Sequence, residues 1–139
     1  MYKKILIAND GSEGAAAALT TAIALAKRLQ SSLHMICVEE MPQFPTSVDE
    51  IEEVKREESH RFGRVVSHAC AQAKTHRVKL ESHVVAGHAV SRIVEFLEND
   101  GFDLLVIGFM GHSALYNRLI GSTTDRLVEL APCQVLVVK

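Results

Sequence analysis

Two glycine-containing segments near the carboxyl terminus have the residue types and the spacing of a phosphate site. Gly108 and Gly111 stand three positions apart, and nine residues separate Gly111 from Gly121, which opens the run Gly-Ser-Thr-Thr. Glycines allow the backbone to approach a ligand closely, and N–H groups at the start of a helix, aided by hydroxyls, bind anions. The pattern G-x2-G-x9-G-S therefore predicts a phosphate cradle between Gly108 and Thr124.

Each of these features also has an explanation that needs no ligand. Gly108 and Gly111 could shape only a strand-to-loop turn, and Ser122 could serve only as a helix cap. Arg118 could reach a phosphate or be a solvated loop residue, and His112 fits a loop position better than a catalytic base. The combination of glycines, hydroxyls and a preceding buried strand favours phosphate.

Short apolar runs alternate with helical patterns, and these elements must position the glycine segments. The expected strands cover residues 5–8, 33–38, 78–86, 104–107 and 135–138. The expected helices cover residues 12–30, 47–73, 89–97 and 123–130, with Ser12 as an N-cap and Ser47 opening a capping box. Strands that alternate with helices lie parallel in one sheet, with helices on both faces. We therefore expect a doubly wound α/β sandwich, which binds ligands beyond the carboxyl ends of its strands.

The composition is that of one ordinary globular domain over residues 1–139. Apolar residues make up 47% and charged residues 23%, and the formal net charge of −2 offers no broad field for nucleic acid or anionic membrane. The three cysteines form no C-x-x-C pair, so we expect reduced packing residues. The apolar run at residues 5–8 is too short for a secretory or membrane segment, and we expect a cytoplasmic protein.

Several enzyme classes lack their motifs in this chain. No G-K-[ST] follows a glycine loop, and no G-x-G-x-x-G follows the first strand, so the standard P-loop and dinucleotide fingerprints are missing. The seven histidines include no i, i+4 helical pair of the zinc-binding kind, and we expect no direct metal site. Asp10 is the one carboxylate close to the predicted loops, and we expect no catalytic residue.

The glycine pattern and three further segments resemble the nucleotide-binding branch of the universal stress protein family. Ile-Leu-Ile-Ala-Asn-Asp-Gly-Ser at residues 5–12 is similar to the family's first strand and turn, and residues 103–108 and 131–138 are similar to its fourth strand and its ending. The resemblance covers essentially the whole chain. It implies a five-stranded parallel sheet in the order 3-2-1-4-5, of the adenine-nucleotide alpha-hydrolase-like type.

The resemblance also implies a ligand and its contacts. ATP, ADP or AMP would bind, with Mg²⁺ carried in near Asp10, which would face the ribose or that metal. Asp10 also has a simpler role, since a carboxylate in Asp-Gly-Ser often binds the N–H groups of its own turn. The remaining implied contacts are Ala8 and Ile107 as base-pocket walls, Val38 beside the adenine, and Gly108, Met110, Gly111, Gly121, Ser122, Thr123 and Thr124 around the phosphates.

The implied function is that of a nucleotide-dependent stress-response or signalling protein. One alternative is a slow Mg²⁺-dependent ATP hydrolase, and another is a dimeric adaptor with an empty or differently filled site. Asn9 departs from the family's usual apolar residue or proline, which leaves the shape of the adenine pocket open.

The last strand suggests how two chains would associate. Val135, Leu136, Val137 and Val138 are apolar and mostly β-branched, and the implied order places them at an edge of the sheet. A two-fold axis would allow two such edges to pair, so we expect a homodimer. The alternative is that Lys139 and the chain end shield the edge.

Overall fold

Five strands and four helices alternate along the chain in a computed structural model, which describes residues 1–41, 47–109 and 121–139. The strands are β1 Lys4–Ala8, β2 Ser32–Glu40, β3 Leu80–Gly87, β4 Leu104–Gly108 and β5 Gln134–Val138. The helices are α1 Glu13–Leu29, α2 Val48–Thr75, α3 Ala89–Asp100 and α4 Ser122–Leu130.

All the paired strands are parallel, and their order is β3-β2-β1-β4-β5. This confirms the doubly wound α/β fold and the order expected from the resemblance. β1 lies at the centre of the sheet, with β2 and β3 on one side of it and β4 and β5 on the other. Such a point opens a crevice at the carboxyl ends of the central strands, because the connections on either side diverge.

Alternate residues of the central strands pack on opposite faces of the sheet. Ile5 and Ile7 of β1 belong to one core, which α1 and α2 cover, whereas Leu6 belongs to a second core, which α3 and α4 cover. Both faces are buried, which explains why these strands are continuous apolar runs in the sequence.

The predicted starts of α1 and α2 agree with the structure. Ser12 caps α1 by accepting a hydrogen bond from the Ala15 N–H at 3.2 Å, and Ser47 caps α2 by accepting from the Glu50 N–H at 3.1 Å. The expected third strand began too early, at Val78. Arg77 has φ of +60°, and the Val78 N–H binds back to the Ala73 carbonyl, so these residues finish α2 instead.

Cys37, Cys70 and Cys133 are free thiols, as expected, and Cys37 is fully buried. Over the three described ranges, none of the helices has the length and apolar character needed to cross a bilayer.

Candidate functional site

A cavity of about 520 Å³ lies at the carboxyl ends of β1, β2 and β4. This volume is within the range of small-molecule sites, and the position is the one expected for a doubly wound sheet. Nine of the predicted site residues line it together: Ala8, Asp10, Val38, Ile107, Gly108, Gly121, Ser122, Thr123 and Thr124. Met110 and Gly111 lie outside the described residues, as do His112 and Arg118.

The turn after β1 is organised by its own side chains. The Asn9 amide oxygen accepts a hydrogen bond from the Gly11 N–H at 2.9 Å, and Gly11 takes φ of +83°. The Asp10 carboxylate accepts from the Ser12 N–H at 3.0 Å, which is the turn contact that its simpler role predicts. Asp10 also lines the cavity, so both roles are compatible with its position.

Asn9 is buried and lines the cavity. Its side-chain nitrogen lies 3.5 Å from the Met35 sulfur, and its oxygen is used by the turn. Both ends of the amide therefore face protein groups, which explains how a polar side chain is accommodated at a buried position.

Gly108 ends β4 where α1 crosses very close to the strand. A Cβ atom at this position would lie 2.6 Å from the carbonyl carbon of Gly14 and 2.7 Å from its oxygen. The glycine is therefore required by helix–strand packing even before any ligand is considered. Packing against α1 is thus a sufficient reason for a glycine at position 108, and it does not conflict with a role of the same residue beside a phosphate.

Two hydrogen bonds join β4 to the beginning of α4. The Thr124 hydroxyl donates to the Gly108 carbonyl at 2.7 Å, and the Gly121 N–H donates to the Phe109 carbonyl at 3.0 Å. These contacts bring both flanks of the glycine pattern to one side of the cavity. The N-cap of α4 is Gly121, not Ser122, and no side-chain hydrogen bond from a described residue caps it. The capping explanation of Ser122 is therefore wrong.

Apolar side chains form the other wall of the cavity. Ala8 and Ile107 come from β1 and β4, and Val38 comes from β2, two residues before that strand ends. Ile36, Ile93 and Leu127 extend the same surface. The cavity lining therefore combines apolar side chains with the hydroxyl-bearing residues at the start of α4, the mixture that is typical of small-molecule sites.

Sequence reasoning missed two charged residues of α2 that reach the cavity. Arg61 donates one hydrogen bond to the Asp10 carbonyl at 2.7 Å and another to the Glu58 carboxylate at 3.1 Å. The i, i+3 spacing of this pair is visible in the sequence, but its docking against the first turn depends on how α2 packs. Arg61 thus holds the Asp10 backbone in place.

The charge of the described lining is negative. Asp10, Glu40 and Glu58 line the cavity, and Arg61 is the cation among the described lining residues. Asp10 is therefore not the one carboxylate near the site, and that expectation was wrong because the long β2 and α2 bring glutamates to the same edge. A phosphate would need backbone N–H groups or a metal ion to offset these charges.

The fold and the cavity together define a doubly wound α/β protein with a pocket at its switch point. The model of the universal stress protein family matches residues 1–139, and the chain belongs to this family. It is 33% identical to a universal stress protein of Methanocaldococcus jannaschii, over 100% of this chain and 83% of that protein. A universal stress protein structure from Lactobacillus plantarum superposes with a TM-score of 0.92 at 26% identity, covering 99% of this chain and 98% of that one.

Two further solved structures share the fold and carry a nucleotide. A universal stress protein in complex with cAMP has a TM-score of 0.67 at 22% identity, with 99% of this chain and 97% of that one covered. An AMP-bound family member from Arabidopsis thaliana has a TM-score of 0.71 at 14% identity, with 99% and 91% covered. At these identities the likeness is one of fold.

Proposed function

We propose that the chain binds ATP or a related adenine nucleotide and acts in the cytoplasm as a nucleotide-dependent stress-response or signalling protein. The observation that carries the proposal is one cavity lined both by apolar residues of β1, β2 and β4 and by the hydroxyl-rich start of α4. The base would lie against Ala8, Val38 and Ile107, and the phosphates against residues 121–124. The cAMP and AMP complexes support it, because the same fold holds adenine nucleotides in those proteins.

Met110 and Gly111 belong to the proposal as the first half of the phosphate loop. Mg²⁺ would be carried in by the nucleotide, and the carboxylates of Asp10, Glu40 and Glu58 give this edge the negative charge that a cation requires. The metal would neutralise phosphate charge that these carboxylates otherwise repel.

Calorimetric titration of the purified chain with Mg-ATP tests the proposal. Gly121→Val places a branched side chain at the start of α4, and we expect at least about tenfold weaker binding, or about 1.4 kcal/mol. Gly63→Val is the matched control, because Gly63 lies on α2 and a Cβ there meets no atom within 4 Å. Equal affinity in both variants and the wild type, with the fold intact, would remove the phosphate site.

A second candidate is slow Mg²⁺-dependent ATP hydrolysis, which the three carboxylates of the lining favour. A carboxylate near the terminal phosphate can orient or deprotonate water. Phosphate release measured over hours, with and without Mg²⁺, distinguishes hydrolysis from binding alone. Turnover that survives Asp10→Ala would show that Asp10 does not take part.

We also propose a homodimer formed through β5. Within the described residues β5 pairs with β4 alone and forms an edge of the sheet. Val135, Leu136, Val137 and Val138 would then pair with the same strand of a second chain, which satisfies both edges. Sedimentation at micromolar concentration tests this, and a monomer with and without ATP would refute it.

A further inference from the structure

A second group of chemically active side chains lies on β2 and β3, away from the cavity lining. His34 pairs in register with Glu81, and Ile36 pairs with His83, so the three polar residues project from the same face of neighbouring strands. Their ligand atoms all lie within 4.8 Å of one another. We propose that His34, Glu81 and His83 form a binding site for Zn²⁺.

The distances are close to those of a tetrahedral metal site. His34 Nδ1 lies 3.0 Å from His83 Nε2 and 3.4 Å from the nearer carboxylate oxygen of Glu81. Zinc bonds of 2.0–2.1 Å at tetrahedral angles place two ligand atoms about 3.3 Å apart. Two of the three separations therefore need only a few tenths of an ångström of adjustment. The Glu81 side chain is 51% exposed and can rotate to close the third.

The two imidazole rings direct one nitrogen each at the other ring. The ring planes differ by 8° and the centroids are 5.3 Å apart, while the facing nitrogens are only 3.0 Å apart. The nitrogens must therefore lie almost on the line between the centroids, with the rings edge to edge, and each ring must turn by roughly 35° for both lone pairs to point at one ion with bonds of about 2.0 Å. A single proton bridges such nitrogens when no metal is bound, and a metal ion would replace that proton.

Ser32 can accept the proton of the His34 tautomer that metal binding requires. Its hydroxyl lies 3.0 Å from His34 Nε2, the nitrogen that is not directed at His83. When Nε2 carries the proton and donates it to Ser32, Nδ1 presents its lone pair to the metal. Burial is the main cause that lowers the pKa of His34, and this also favours the neutral ring.

Aromatic side chains cover the inner side of the group. The Phe102 ring meets His34 edge-on with centroids 5.2 Å apart, and the Phe96 ring lies 4.8 Å from that of His83. These rings cover one side of the imidazoles, while the exposed Glu81 leaves an entry path. Lys79 lies 3.9 Å from the other carboxylate oxygen of Glu81, an exposed contact that competes only weakly with a metal.

The donor set selects the kind of metal. Two imidazoles and one carboxylate, with a fourth position for water, suit Zn²⁺. Mg²⁺ prefers oxygen ligands alone, so the ion that accompanies a nucleotide would not occupy this group. His34, Glu81 and His83 lie outside the cavity lining, so Zn²⁺ binding here does not depend on nucleotide binding.

The test is a metal titration of the nucleotide-free full chain after treatment with a chelator. We expect one equivalent of Zn²⁺ in calorimetry, unaffected by excess Mg²⁺, and the strong visible bands of tetrahedral Co²⁺ when cobalt is used instead. His83→Gln should weaken Zn²⁺ binding at least about 100-fold, because removing a residue that merely supports a ligand already costs about 10- to 100-fold. Glu81→Gln should weaken it about tenfold.

His68→Gln is the matched control, since His68 is exposed on α2 and outside the group. It should bind Zn²⁺ as the wild type does. Circular dichroism verifies the fold of each variant, and Glu81→Gln remains informative if His83→Gln unfolds, because its side chain is exposed. Wild-type affinity in Glu81→Gln and in any folded His83→Gln, or the absence of a tetrahedral cobalt spectrum, would overturn the site.

Discussion

The cavity and the His34–Glu81–His83 group share strand β2 but are held together by different means. In the cavity, Val38 meets residues from turns and helix starts, whose positions depend on how α2 and α4 dock. In the histidine group, the donors lie inside two hydrogen-bonded strands, whose register alone places them side by side. Paired strands thus fix side chains through the backbone, whereas a pocket at a switch point relies on packing between elements.

The largest expected effect is slow alkylation of Cys37, which lies on β2 between His34 and Val38. Burial raises the pKa of the Cys37 thiol from 9.0 to about 12, so at pH 8 its thiolate fraction is about 1000-fold below that of an unfolded thiol. We expect alkylation of Cys37 at pH 8 to be at least about 1000-fold slower in the folded chain than in denaturant. Peptide mapping by mass spectrometry measures each cysteine separately.

The ratio between the alkylation rates of Cys37 in the denatured and the folded chain should also depend on pH. As the pH rises through 9.0 the thiolate fraction of the unfolded thiol levels off while that of the folded thiol keeps rising, so the ratio should narrow as the pH approaches 12. Rapid labelling of Cys37 in the folded chain at pH 8 would mean that the sheet opens between the two regions. They could then not be treated as separate sites on a rigid strand.

The next effect tests whether packing holds the cavity edge together. Gly108→Ala should lower the free energy of unfolding by about 2–3 kcal/mol, because the added Cβ meets the Gly14 backbone at 2.6 Å. Gly63→Ala should instead raise it by about 0.5–1 kcal/mol, since Gly63 has open space on a helix. Urea unfolding measures both. Unchanged stability in Gly108→Ala would mean that the glycine serves the ligand and not the packing.

A smaller effect is expected at the junction of β4 and α4. Thr124→Val keeps the shape of the buried side chain but removes the donor to the Gly108 carbonyl, at a cost of about 1–2 kcal/mol. Thr123→Val, at an exposed neighbouring position, should stay within about 0.5 kcal/mol of the wild type. Equal unfolding midpoints for the two variants would show that this hydrogen bond does not hold the edge.

The sequence predicted the cavity far better than the histidine group, for a physical reason. The Gly108 and Gly121 segments follow strands directly, and in a parallel sheet the carboxyl ends of strands meet, so local patterns sufficed to bring Asp10 and Thr124 to one edge. Arg61 and Glu58 were missed because their approach depends on the packing of a long helix. His34 and His83 were missed because 49 residues separate them. Their pairing follows from strand register, which an inspection of helical spacings does not detect.

The smallest expected effect is the coupling between the two regions. Ile36 lines the cavity and is also the register partner of His83, so a path between the sites exists through one residue. Ile36 is only 1% exposed and is held between β1 and β3, and a rotation of the His83 ring should therefore barely displace it.

We accordingly expect His83→Gln to change the affinity for Mg-ATP by less than about twofold, or about 0.4 kcal/mol. Added Zn²⁺ should have an equally small effect on the wild type, and by linkage ATP should change the Zn²⁺ affinity by the same factor, so the two titrations verify each other. A change of more than about fivefold in both directions would mean that β2 transmits metal binding to the cavity. The two regions would then be energetically coupled. Residues that contact each other typically show interaction energies of about 0.5–3 kcal/mol, so such a coupling would be within the usual range.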